Sequence, residues 1–532
     1  MSPRPSSDRL GEIATKGVHW GLRWVAMAPE HVEARRLVSA LRDRVPPVSA
    51  GRVLFVTPRD WAAHVQWEAM FGQALRLRGA DVRYVTCGGD LEICDRANTW
   101  EAPPMPCRSC RHYVRTSLTA HGLPHDALWD QPPETAWPEL DALGLDALPG
   151  VELDGLPLGR LVEIPVKWFL MRSDIEHDPI AALTYRRFLR SARVIADGMR
   201  AAFDRHEPDV VVACNGLFLF EAIALALCKQ RGIDFVTYER GFIKETLIFR
   251  RGEPACLLDF SDVWSRWRDV PLTAAEDAQL DEYLGDRRHG RKTIDRFWKD
   301  PQFVGVERRG SGRLATLFTN LTWDSAVIGR ERAFASMRDW IAATVELFAE
   351  RPDDELVIRV HPAELRLPGK TTREPVAPFL ASRFDRLPPN VTILGPEDDR
   401  SSYSLMEQSD IGLVYTSTTG LELAVAGTPV VVAGETHYRD QGFTLDAASP
   451  AEYRDVVTAL LDAPESYRPD VEMARRYAYF FFFRNPVGTP GVEEHVLGLA
   501  RITATAADLA PGAHADLDRV CDGILREGDF GP

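Results

Sequence analysis

The sequence lacks the long apolar stretch and the leader that mark membrane-spanning and exported proteins. No apolar run approaches the ~20 residues that a transmembrane helix needs, and the aromatic run at residues 477–483 is far shorter. The N-terminus does not follow the basic, apolar and small-residue order of a secretory signal peptide. We therefore expect a cytoplasmic protein whose eight cysteines are thiols or metal ligands rather than disulfides.

An excess of positive charge is also missing, as is the glycine loop of common dinucleotide sites. The chain has 78 acidic and 63 basic side chains, and its formal net charge is -15. This balance argues against general nucleic-acid binding, which needs a basic surface to neutralise phosphates. No GxGxxG sequence follows the first strand-like run, Val53–Val56, so we do not expect NAD or FAD to bind there.

Two successive sets of alternating strand-like and helix-like segments are present instead. The 532 residues exceed what one ordinary core accommodates, so two domains are expected. The apolar strand runs lie at 53–56, 82–85, 210–213 and 235–238 in the first set, and at 314–318, 355–360, 391–394, 411–415 and 429–433 in the second. Strands alternating with helices predict the α/β class, with two Rossmann-type domains that face a central cleft.

Changes in composition and pattern predict the domain boundaries. The expected units are a helical appendage at 1–50, a first Rossmann-like domain at 51–305, a second one at 306–490 and a helical tail at 491–532. The first domain carries a cysteine-bearing insertion at 87–125 and a helical insertion at 159–207. We expect the appendage to dock onto its own domain, and contact with a membrane surface is the alternative.

Four consecutive hydroxyl side chains follow the predicted strand at 411–415. They belong to Thr416, Ser417, Thr418 and Thr419. A helix is expected to begin there, and its free N–H groups and partial positive charge, together with the hydroxyls, suit a phosphate or diphosphate. Glu422, in the first turn, is placed to accept hydrogen bonds from ribose hydroxyls. Simple N-capping is the alternative, but it accounts for only one hydroxyl.

Arg359 and His361 lie at the end of another predicted strand of the second set. Pro362 stops this strand, so the imidazole of His361 is expected to project into the cleft. There it can donate a hydrogen bond to a bound phosphate or stabilise a leaving group, while Arg359 adds positive charge. A structural histidine is the alternative.

Polar residues also follow the strands of the first set. Glu239 comes after the strand at 235–238, and Gly241 permits a sharp turn that presents the carboxylate at the cleft as a general base. An ion pair between Glu239 and Arg240 on a loop is the alternative.

Further candidates for the cleft follow three other strands. Asn215 is expected to position the acceptor or the base, while Asn320 and Asp324 line the hinge side of the cleft. His64, after the first strand, is a further candidate on the acceptor side, although a packed or surface histidine is the simpler interpretation.

The cysteine-bearing insertion has the residues of a metal site. Its thiols are Cys87, Cys94, Cys107 and Cys110. A Cys-x2-Cys knuckle and two upstream thiols would close a tetrahedral zinc site and fold an insertion too polar to make its own core. An iron–sulfur cluster uses the same ligands, and unligated thiols are the other alternative because the first spacing is not that of a zinc finger.

The cleft motifs form an ordered set. In chain order they are Glu239-Arg240-Gly241, Thr319-Asn320 with Trp323-Asp324, Arg359-Val360-His361-Pro362, Ser417-Thr418-Thr419 and Tyr438-Arg439-Asp440-Gln441-Gly442. This set resembles the capsule polysaccharide biosynthesis family, which includes the capsular Kdo transferases and has the GT-B fold. The His-Pro and hydroxyl elements are also similar to those of bacterial sialyl- and polysialyltransferases and of teichoic-acid glycerophosphotransferases.

The resemblance implies roles for particular residues. Glu239 would be the catalytic base, and His361 with the hydroxyls of Ser417 and Thr418 would hold the nucleotide phosphates. Further donor-side candidates are Asn320, Asp324, Arg359, Thr419, Glu422 and Gln441, and the acceptor-side candidates are His64, Asn215 and Arg240. Arg240 departs from the doubly acidic form of the sialyltransferase motif, so the identity of the base stays open.

The expected activity is that of a metal-independent glycosyltransferase. It would move a sugar from a CMP- or UDP-linked donor on the second domain to a surface polysaccharide or glycolipid on the first. No cofactor is expected in catalysis, zinc would be structural, and nucleic acid is not an expected partner. The alternatives are a glycerophosphotransferase, a nucleotide-sugar epimerase and a catalytically silent binding partner. Peripheral contact with the inner membrane or with other biosynthesis enzymes is a further expectation.

Overall fold

A computed structural model of the chain describes residues 17–100, 105–131, 134–289, 301–367, 370–495, 499–526, 528, 530 and 531. The first sixteen residues of the expected appendage, and the Pro132-Pro133 pair, lie outside this description. The strands are β1 Ala50–Val56, β2 Ala80–Thr86, β3 His125–Ala127, β4 Val210–Cys214, β5 Asp234–Arg240, β6 Thr246–Arg251, β7 Leu314–Phe318, β8 Glu355–Arg359, β9 Val391–Leu394, β10 Ile411–Val414, β11 Val430–Val432, β12 Leu445–Asp446, β13 Val487–Gly488, β14 Val492–His495 and β15 Leu499–Ile502.

The helices alternate with these strands and cover the sheets. They are α1 Pro29–Leu41, α2 Ala62–Leu77, α3 Cys107–Ala120, α4 Leu158–Leu161, α5 Glu163–Leu170, α6 Ala181–His206, α7 Leu219–Arg231, α8 Ser261–Trp267, α9 Ala274–Arg288, α10 Met337–Ala349, α11 Ala363–Arg366, α12 Val376–Arg383, α13 Ser402–Gln408, α14 Thr419–Val425, α15 Pro450–Asp462, α16 Val471–Tyr479 and α17 Ala515–Leu525. A further helical stretch covers residues 17–24. In the part of the chain described, no helix combines the length and the apolar content that crossing a bilayer requires.

Two sheets form the framework, as the sequence predicts. The first has the order β13-β6-β5-β4-β1-β2-β3. Strands β5, β4, β1, β2 and β3 are parallel, and β6 is antiparallel to both of its neighbours, β5 and β13. The second has the order β12-β11-β10-β7-β8-β9 and is parallel throughout. In such doubly wound sheets, ligands bind outside the carboxyl ends of the strands where the strand order reverses, which is at β1/β4 and at β7/β10 here.

The central strands are buried on both faces. Every residue of β4, β7 and β8 is buried, so these strands do not show the alternation of buried and exposed residues that marks a half-buried strand. Helices on each side complete four large hydrophobic clusters, two per sheet. The polar residues that follow each strand are therefore the first ones free to face a cleft.

The C-terminal segment differs from the expected helical tail at 491–532. The chain already rejoins the first sheet at β13, and the next described elements are the antiparallel pair β14 and β15 and then helix α17. Buried and exposed residues alternate along β15, which is the pattern of a half-buried strand. The two strands and α17 pack against α2, so the end of the chain completes the core of the first sheet.

The aromatic run at 477–483 carries the chain back from the second sheet to the first, as predicted. It spans the end of α16 and a π-helical turn, Phe480–Arg484. Phe480, Phe481 and Phe482 are buried, and the ring of Phe481 stacks on His437 at a centroid distance of 4.0 Å. The run therefore supplies core packing under the second sheet.

The described part of the N-terminal appendage docks onto the first half, as expected. Helix α1 packs against α3 and β15. His31 is fully buried and its Nε2 lies 3.1 Å from the hydroxyl of Ser117, while the buried carboxylate of Glu30 is paired with His19 and Arg23. These buried hydrogen bonds and ion pairs hold the helix against the domain.

A substitution at Gly72 can test how tightly α2 packs against β2. A Cβ atom at this position would overlap the hydroxyl of Tyr84, which is fully buried and donates to the carbonyl of Glu68 at 2.7 Å. We expect Gly72→Ala to lower the free energy of unfolding by about 1–3 kcal/mol through overpacking. Denaturant unfolding of the purified variant measures this change.

Gly285→Ala is the matched control, because Gly285 also lies inside a helix but has open space around the position of a Cβ. The change there is expected to raise the free energy of unfolding by up to about 1 kcal/mol through the gain in helix propensity. Equal stabilities of the two variants would contradict this description of the α2–β2 packing.

Candidate active site

A cavity of ≈ 780 Å³ lies between the two sheets, at the carboxyl ends of their strands. Residues of both halves line it. The first half contributes Asn215, Glu239 and Arg240, and the second contributes Asp324 with its neighbours Ser325 and Ala326. Predicted residues from four separate strand ends, His64 among them, thus share one space. This is the cleft that the two sets of alternating segments predicted.

Glu239 is held at the wall of this cavity by two hydrogen bonds. Its Oε1 accepts from the backbone N–H of Arg240 at 2.8 Å, and its Oε2 accepts from Nδ2 of Asn215 at 2.5 Å. Burial raises the pKa of the carboxyl group, and the negative charge of Asp324 raises it further against the effect of these hydrogen bonds. A fixed carboxylate with a raised pKa is suited to proton transfer near neutral pH.

Asn215 owes its orientation to an unusual backbone conformation. Its φ is 60° and that of Gly216 is 100°, so the chain turns sharply after β4. Asparagine is among the few residues that accept the left-handed region, because its short side chain bonds to nearby backbone. Here Oδ1 accepts from the N–H of Leu217 at 2.9 Å, which aims the amide nitrogen at Glu239.

Asp324 faces the cavity from the second half. Its Oδ1 accepts from the N–H of Ala326 at 3.0 Å, and burial raises the pKa of its carboxyl group. Trp323 beside it is fully buried, donates from Nε1 to Thr372 at 3.0 Å and contacts Trp168 edge-on at 5.2 Å. Since Trp168 lies on α5 of the first half, this contact fixes the two walls of the cleft relative to each other.

His64 is backed by a buried polar chain that the sequence did not reveal. Its Nδ1 lies 3.3 Å from the hydroxyl of Tyr238, and that hydroxyl donates to Oε1 of Glu68 at 2.7 Å. Burial lowers the pKa of His64 to about 3 and raises that of Glu68 to about 8. The imidazole is therefore neutral at physiological pH, and its Nδ1 also lies 3.4 Å from the Sγ atom of Cys214. Glu68 lies one helical turn after His64 on α2. This i, i+4 spacing is the only sign in the sequence that the two side chains are near each other.

Arg240 lines the cavity but does not pair with Glu239 through its side chain. Its guanidinium forms an ion pair with Glu494, on β14 of the C-terminal return, and lies 5.9 Å from the ring centroid of Trp67. The alternative of a loop ion pair between Glu239 and Arg240 is therefore wrong, and the Glu239 carboxylate stays directed at Asn215.

In the second half, His361 follows β8 as predicted. Its backbone N–H donates to the hydroxyl of Thr319 at 2.9 Å, and its Nδ1 accepts from the N–H of Ala363 at 3.2 Å. The proton of the ring is thus on Nε2. Burial and then the charge of Arg359 lower the pKa of His361 to about 4, so at neutral pH the ring is an uncharged hydrogen-bond donor.

The hydroxyl segment follows β10, which is separated from β8 in the sheet by β7. The amide oxygen of Asn320 accepts from the N–H of Thr416 at 3.4 Å, which links the ends of β7 and β10. Ser417 and Thr419 join through their hydroxyls at 3.0 Å, while Tyr438 donates to the carbonyl of Ser417 at 2.6 Å. Thr418 occupies the N-cap of α14 without a side-chain capping bond. The hydroxyl of Ser417 instead accepts from the N–H of Thr419 at 3.2 Å, so capping of the helix N-terminus accounts for this one hydroxyl of the segment.

Three donor-side candidates have other roles in the structure. The Arg359 guanidinium donates to three carbonyls of the loop after β9, those of Gly395, Asp398 and Arg400, each at 3.1 Å. Its Nε also donates to the hydroxyl of Ser402 at 3.5 Å. One oxygen of Glu422 accepts from Arg287 at 2.9 Å and the other from Tyr403 at 2.7 Å. Gln441 accepts from the indole of Trp264 at 2.8 Å. These three side chains are engaged elsewhere and do not line the cavity. The other predicted residues of the donor side that follow β7, β8 and β10, apart from Asp324, are not among its lining residues either; they are Asn320, His361, Ser417, Thr418 and Thr419.

The structure does not support the predicted zinc site at the insertion cysteines. Within the described residues, which include all four insertion cysteines, no three or more His, Cys, Asp or Glu side chains are grouped to hold a metal ion. The Sγ atom of Cys87 accepts from the N–H of Gly89 at 3.2 Å, and Cys110 lies 3.9 Å from the carbonyl of Pro58. Burial raises the pKa of Cys87 to about 12 and also raises those of Cys94 and Cys110, and neighbouring thiols of the insertion raise them further.

A buried network of ion pairs and hydrogen bonds anchors the insertion to the rest of the first half. Arg59, in the loop after β1, lies 3.1 Å from Asp95 of the insertion and also pairs with Glu221 on α7. Asp95 in turn accepts from the N–H of Leu219 at 2.7 Å. Burial alone would lower the pKa of Arg59, but Glu221 and Asp95 raise it above its ordinary value, so the guanidinium is charged.

Comparisons with known proteins give the following likenesses. The β-Kdo 2,4-transferase of Thermosulfurimonas dismutans KpsC is 15% identical, covering 56% of this chain and 85% of its own, with a TM-score of 0.33. The glycotransferase of kitacinnamycin is 14% identical, and the match covers 91% of this chain and 100% of its own, with a TM-score of 0.28. The UDP-GlcNAc 2-epimerase of Neisseria meningitidis is 13% identical, and the match covers 80% of this chain and 95% of its own, with a TM-score of 0.26.

These structural likenesses are too distant to transfer the role of any residue, and no curated protein matches the sequence. The sequence family is more informative, because its match falls on the segment that holds the second sheet, His361 and the hydroxyl residues. The family described as capsule polysaccharide biosynthesis protein matches residues 276–462, so the family predicted from the motifs is confirmed over this part of the chain.

Proposed function

We propose that the protein is a GT-B glycosyltransferase of the cytoplasm that transfers a sugar from a nucleotide-activated donor to a surface polysaccharide or glycolipid. The observation that carries the proposal is the cavity between the two sheets, where Glu239 of one half and Asp324 of the other meet. The match to the capsule family over the second half supports it.

The donor is proposed to bind at the strand ends of the second sheet. The neutral imidazole of His361 donates a hydrogen bond from Nε2 to a phosphate oxygen, and the hydroxyls of Ser417, Thr418 and Thr419 add further donors. Asn320 holds the turn after β10 in place through the N–H of Thr416. Donors of this kind stabilise the charge that develops on the phosphate as the nucleotide leaves, and CMP- or UDP-linked sugars are the proposed class.

Glu239 is proposed as the general base. Its carboxylate takes the proton of an acceptor hydroxyl while that oxygen attacks the anomeric carbon of the donor sugar. The bond between the anomeric carbon and the phosphate oxygen breaks, and the nucleotide carries away the bonding electrons. Asn215 positions the base by its hydrogen bond to Oε2. Enclosure of the reacting pair between the two halves keeps water from competing with the acceptor.

His64 is a second candidate for the base. It lines the same cavity and is backed by Tyr238 and Glu68. Glu239 is preferred because its pKa is raised towards the working pH, whereas burial lowers that of His64 to about 3 and leaves a weak base.

The donor site can be tested by calorimetric titration with CMP, CDP, UDP and GDP. One of these nucleotides is expected to bind selectively with a micromolar Kd. His361→Ala should weaken that binding by about 10-fold or more, because a hydrogen bond to a charged group contributes about 1.5–3 kcal/mol. The control is His177→Ala, which removes an exposed histidine that lies outside the second sheet and does not line the cavity. If no nucleotide binds the folded protein, the transferase proposal is wrong.

The base can be tested by the Glu239→Gln variant, which keeps the shape of the side chain and removes the charge. With a panel of CMP- and UDP-linked sugars, kcat for acceptor-dependent nucleotide release should fall by about 10²–10⁴-fold. Nucleotide affinity should be unchanged, because Glu239 lies in the first half. Glu465→Gln, at an exposed position, is the matched control and should retain full activity. A silent binding partner would show no such loss, and an epimerase would turn over without an acceptor.

The pH profile in the same assay separates Glu239 from His64. A base acts in its deprotonated form, so the rate must fall as the pH drops through the pKa of the base. Burial raises the pKa of Glu239, so the acid limb is expected above the ordinary glutamate range and should be absent from Glu239→Gln. An acid limb near pH 3 that is lost in His64→Ala would instead identify His64.

A further inference from the structure

A groove on the N-terminal side of the first half is lined by cationic side chains. Its charged lining consists of Arg35 of α1 and Arg108, Arg111 and Arg115 of α3, with His112 among them, and its volume is ≈ 720 Å³. The residues that line it include no aspartate or glutamate. On α3 the arginines recur at positions i, i+3 and i+7, so they share one helix face, opposite the buried face that carries Tyr113 and Val114. We call this face the arginine face.

The arginine face has little compensating charge. Arg111 pairs with Asp90 at 3.7 Å. Within the ranges that the structure describes, Arg35, Arg108 and Arg115 have no acidic side chain within ion-pair distance, although the chain as a whole carries a net charge of -15. A concentrated cationic patch on an acidic protein indicates an anionic partner.

An apolar rim borders the arginine face. It consists of large side chains around the helical stretch 17–24, namely Val18, Trp20, Val25 and Met27, which are 65%, 56%, 66% and 54% exposed. Isolated exposed apolar residues are common, but four within ten positions form a patch. Arg35 joins the two features, since its guanidinium donates to the carbonyl of Ala26 at 2.7 Å.

The rim is held rigidly against the domain. The carboxylate of Glu30 is fully buried and pairs with His19 and with Arg23, each at 2.9 Å. The ring of Trp24 stacks on His112 of α3 at a centroid distance of 4.5 Å. Trp20 packs edge-on against Trp24 at 5.6 Å. These contacts fix the backbone of the stretch 17–24 while its apolar side chains still face outwards, so the exposure is built into the fold.

We propose that the arginine face and its apolar rim form a docking surface for an anionic lipid bilayer. Aromatic and aliphatic side chains enter the interface between headgroups and acyl chains, while arginines beside them pair with anionic headgroups. A soluble anionic polysaccharide would use the arginines but would give no reason for exposed valine, methionine and tryptophan. The combination of the two surfaces therefore favours a membrane.

The docking surface adjoins the cleft between the sheets. Trp24 and His112 line both the groove and the central cavity, and Trp20 and Arg23 line the cavity as well. If the transferase proposal holds, a membrane-bound protein would have its acceptor side next to the bilayer, and the acceptor would be a lipid-anchored glycan. This last step rests on the proposed function, whereas the docking itself does not.

Sedimentation of the full chain with lipid vesicles tests the docking, and it needs neither a donor nor turnover. The protein is expected to bind vesicles that contain phosphatidylglycerol, to bind phosphatidylcholine vesicles poorly, and to dissociate as salt is added. The double variant Arg108→Glu with Arg115→Glu should weaken binding by roughly 25-fold or more, since each basic residue contributes on the order of fivefold near an anionic surface. Trp20→Ala should weaken it at every salt concentration.

The matched control is Arg386→Glu with Arg468→Glu, which makes the same change in net charge at two exposed positions of the second half. Equal loss of binding in the control, or equal binding of the wild type to both kinds of vesicle, would overturn the proposal. So would binding of soluble dextran sulfate that is lost in the double variant while vesicles are not bound, because it would identify a polysaccharide site. A failure here leaves the nucleotide titrations unaffected, so the two proposals fail separately.

Discussion

The buried ion network of Arg59 is the interaction on which the first wall of the cleft depends. A guanidinium without access to water is stable only when it is paired, and breaking such a pair costs about 3–5 kcal/mol. Asp95 and Glu221 supply that pairing from two different segments, so the loop after β1, the cysteine-bearing insertion and α7 are locked together. The same loop leads into α2, which carries His64, and the ring of Trp61 lies 4.6 Å from the guanidinium.

The return of the chain after the second sheet explains how two similar halves form one site. Strand β13 pairs with β6, and Glu494 beyond it holds Arg240 at the cavity. The buried aromatic turn Phe480–Arg484 makes the crossing, and Trp323 meets Trp168 on the other side of the cleft. The carboxyl ends of both sheets consequently face each other, which is where ligands of doubly wound sheets bind.

The sequence predicted those parts of the structure that follow from local pattern. Apolar runs such as Val210–Ala213 and Leu314–Phe318 became buried strands. Polar residues at the end of a strand, such as Glu239, or in the loop after one, such as Asp324, reached the cavity. The prediction failed where the direction of a long side chain matters. Arg359, for example, donates hydrogen bonds to backbone carbonyls and does not face the cleft. Pairing over long sequence distances, such as Arg59 with Glu221, leaves no local signal either. The spacing of the cysteines likewise could not show that the thiols of Cys87, Cys94 and Cys110 would be buried.

The structure of the protein in complex with its nucleotide would test the central claim most directly. The account predicts a phosphate oxygen within about 3.2 Å of Nε2 of His361 and of the hydroxyls at 417–419, with the far side of the ligand directed at Glu239. A nucleotide bound to the first sheet, or bound to the second with its phosphates away from His361, would contradict the assignment of donor and acceptor to the two halves.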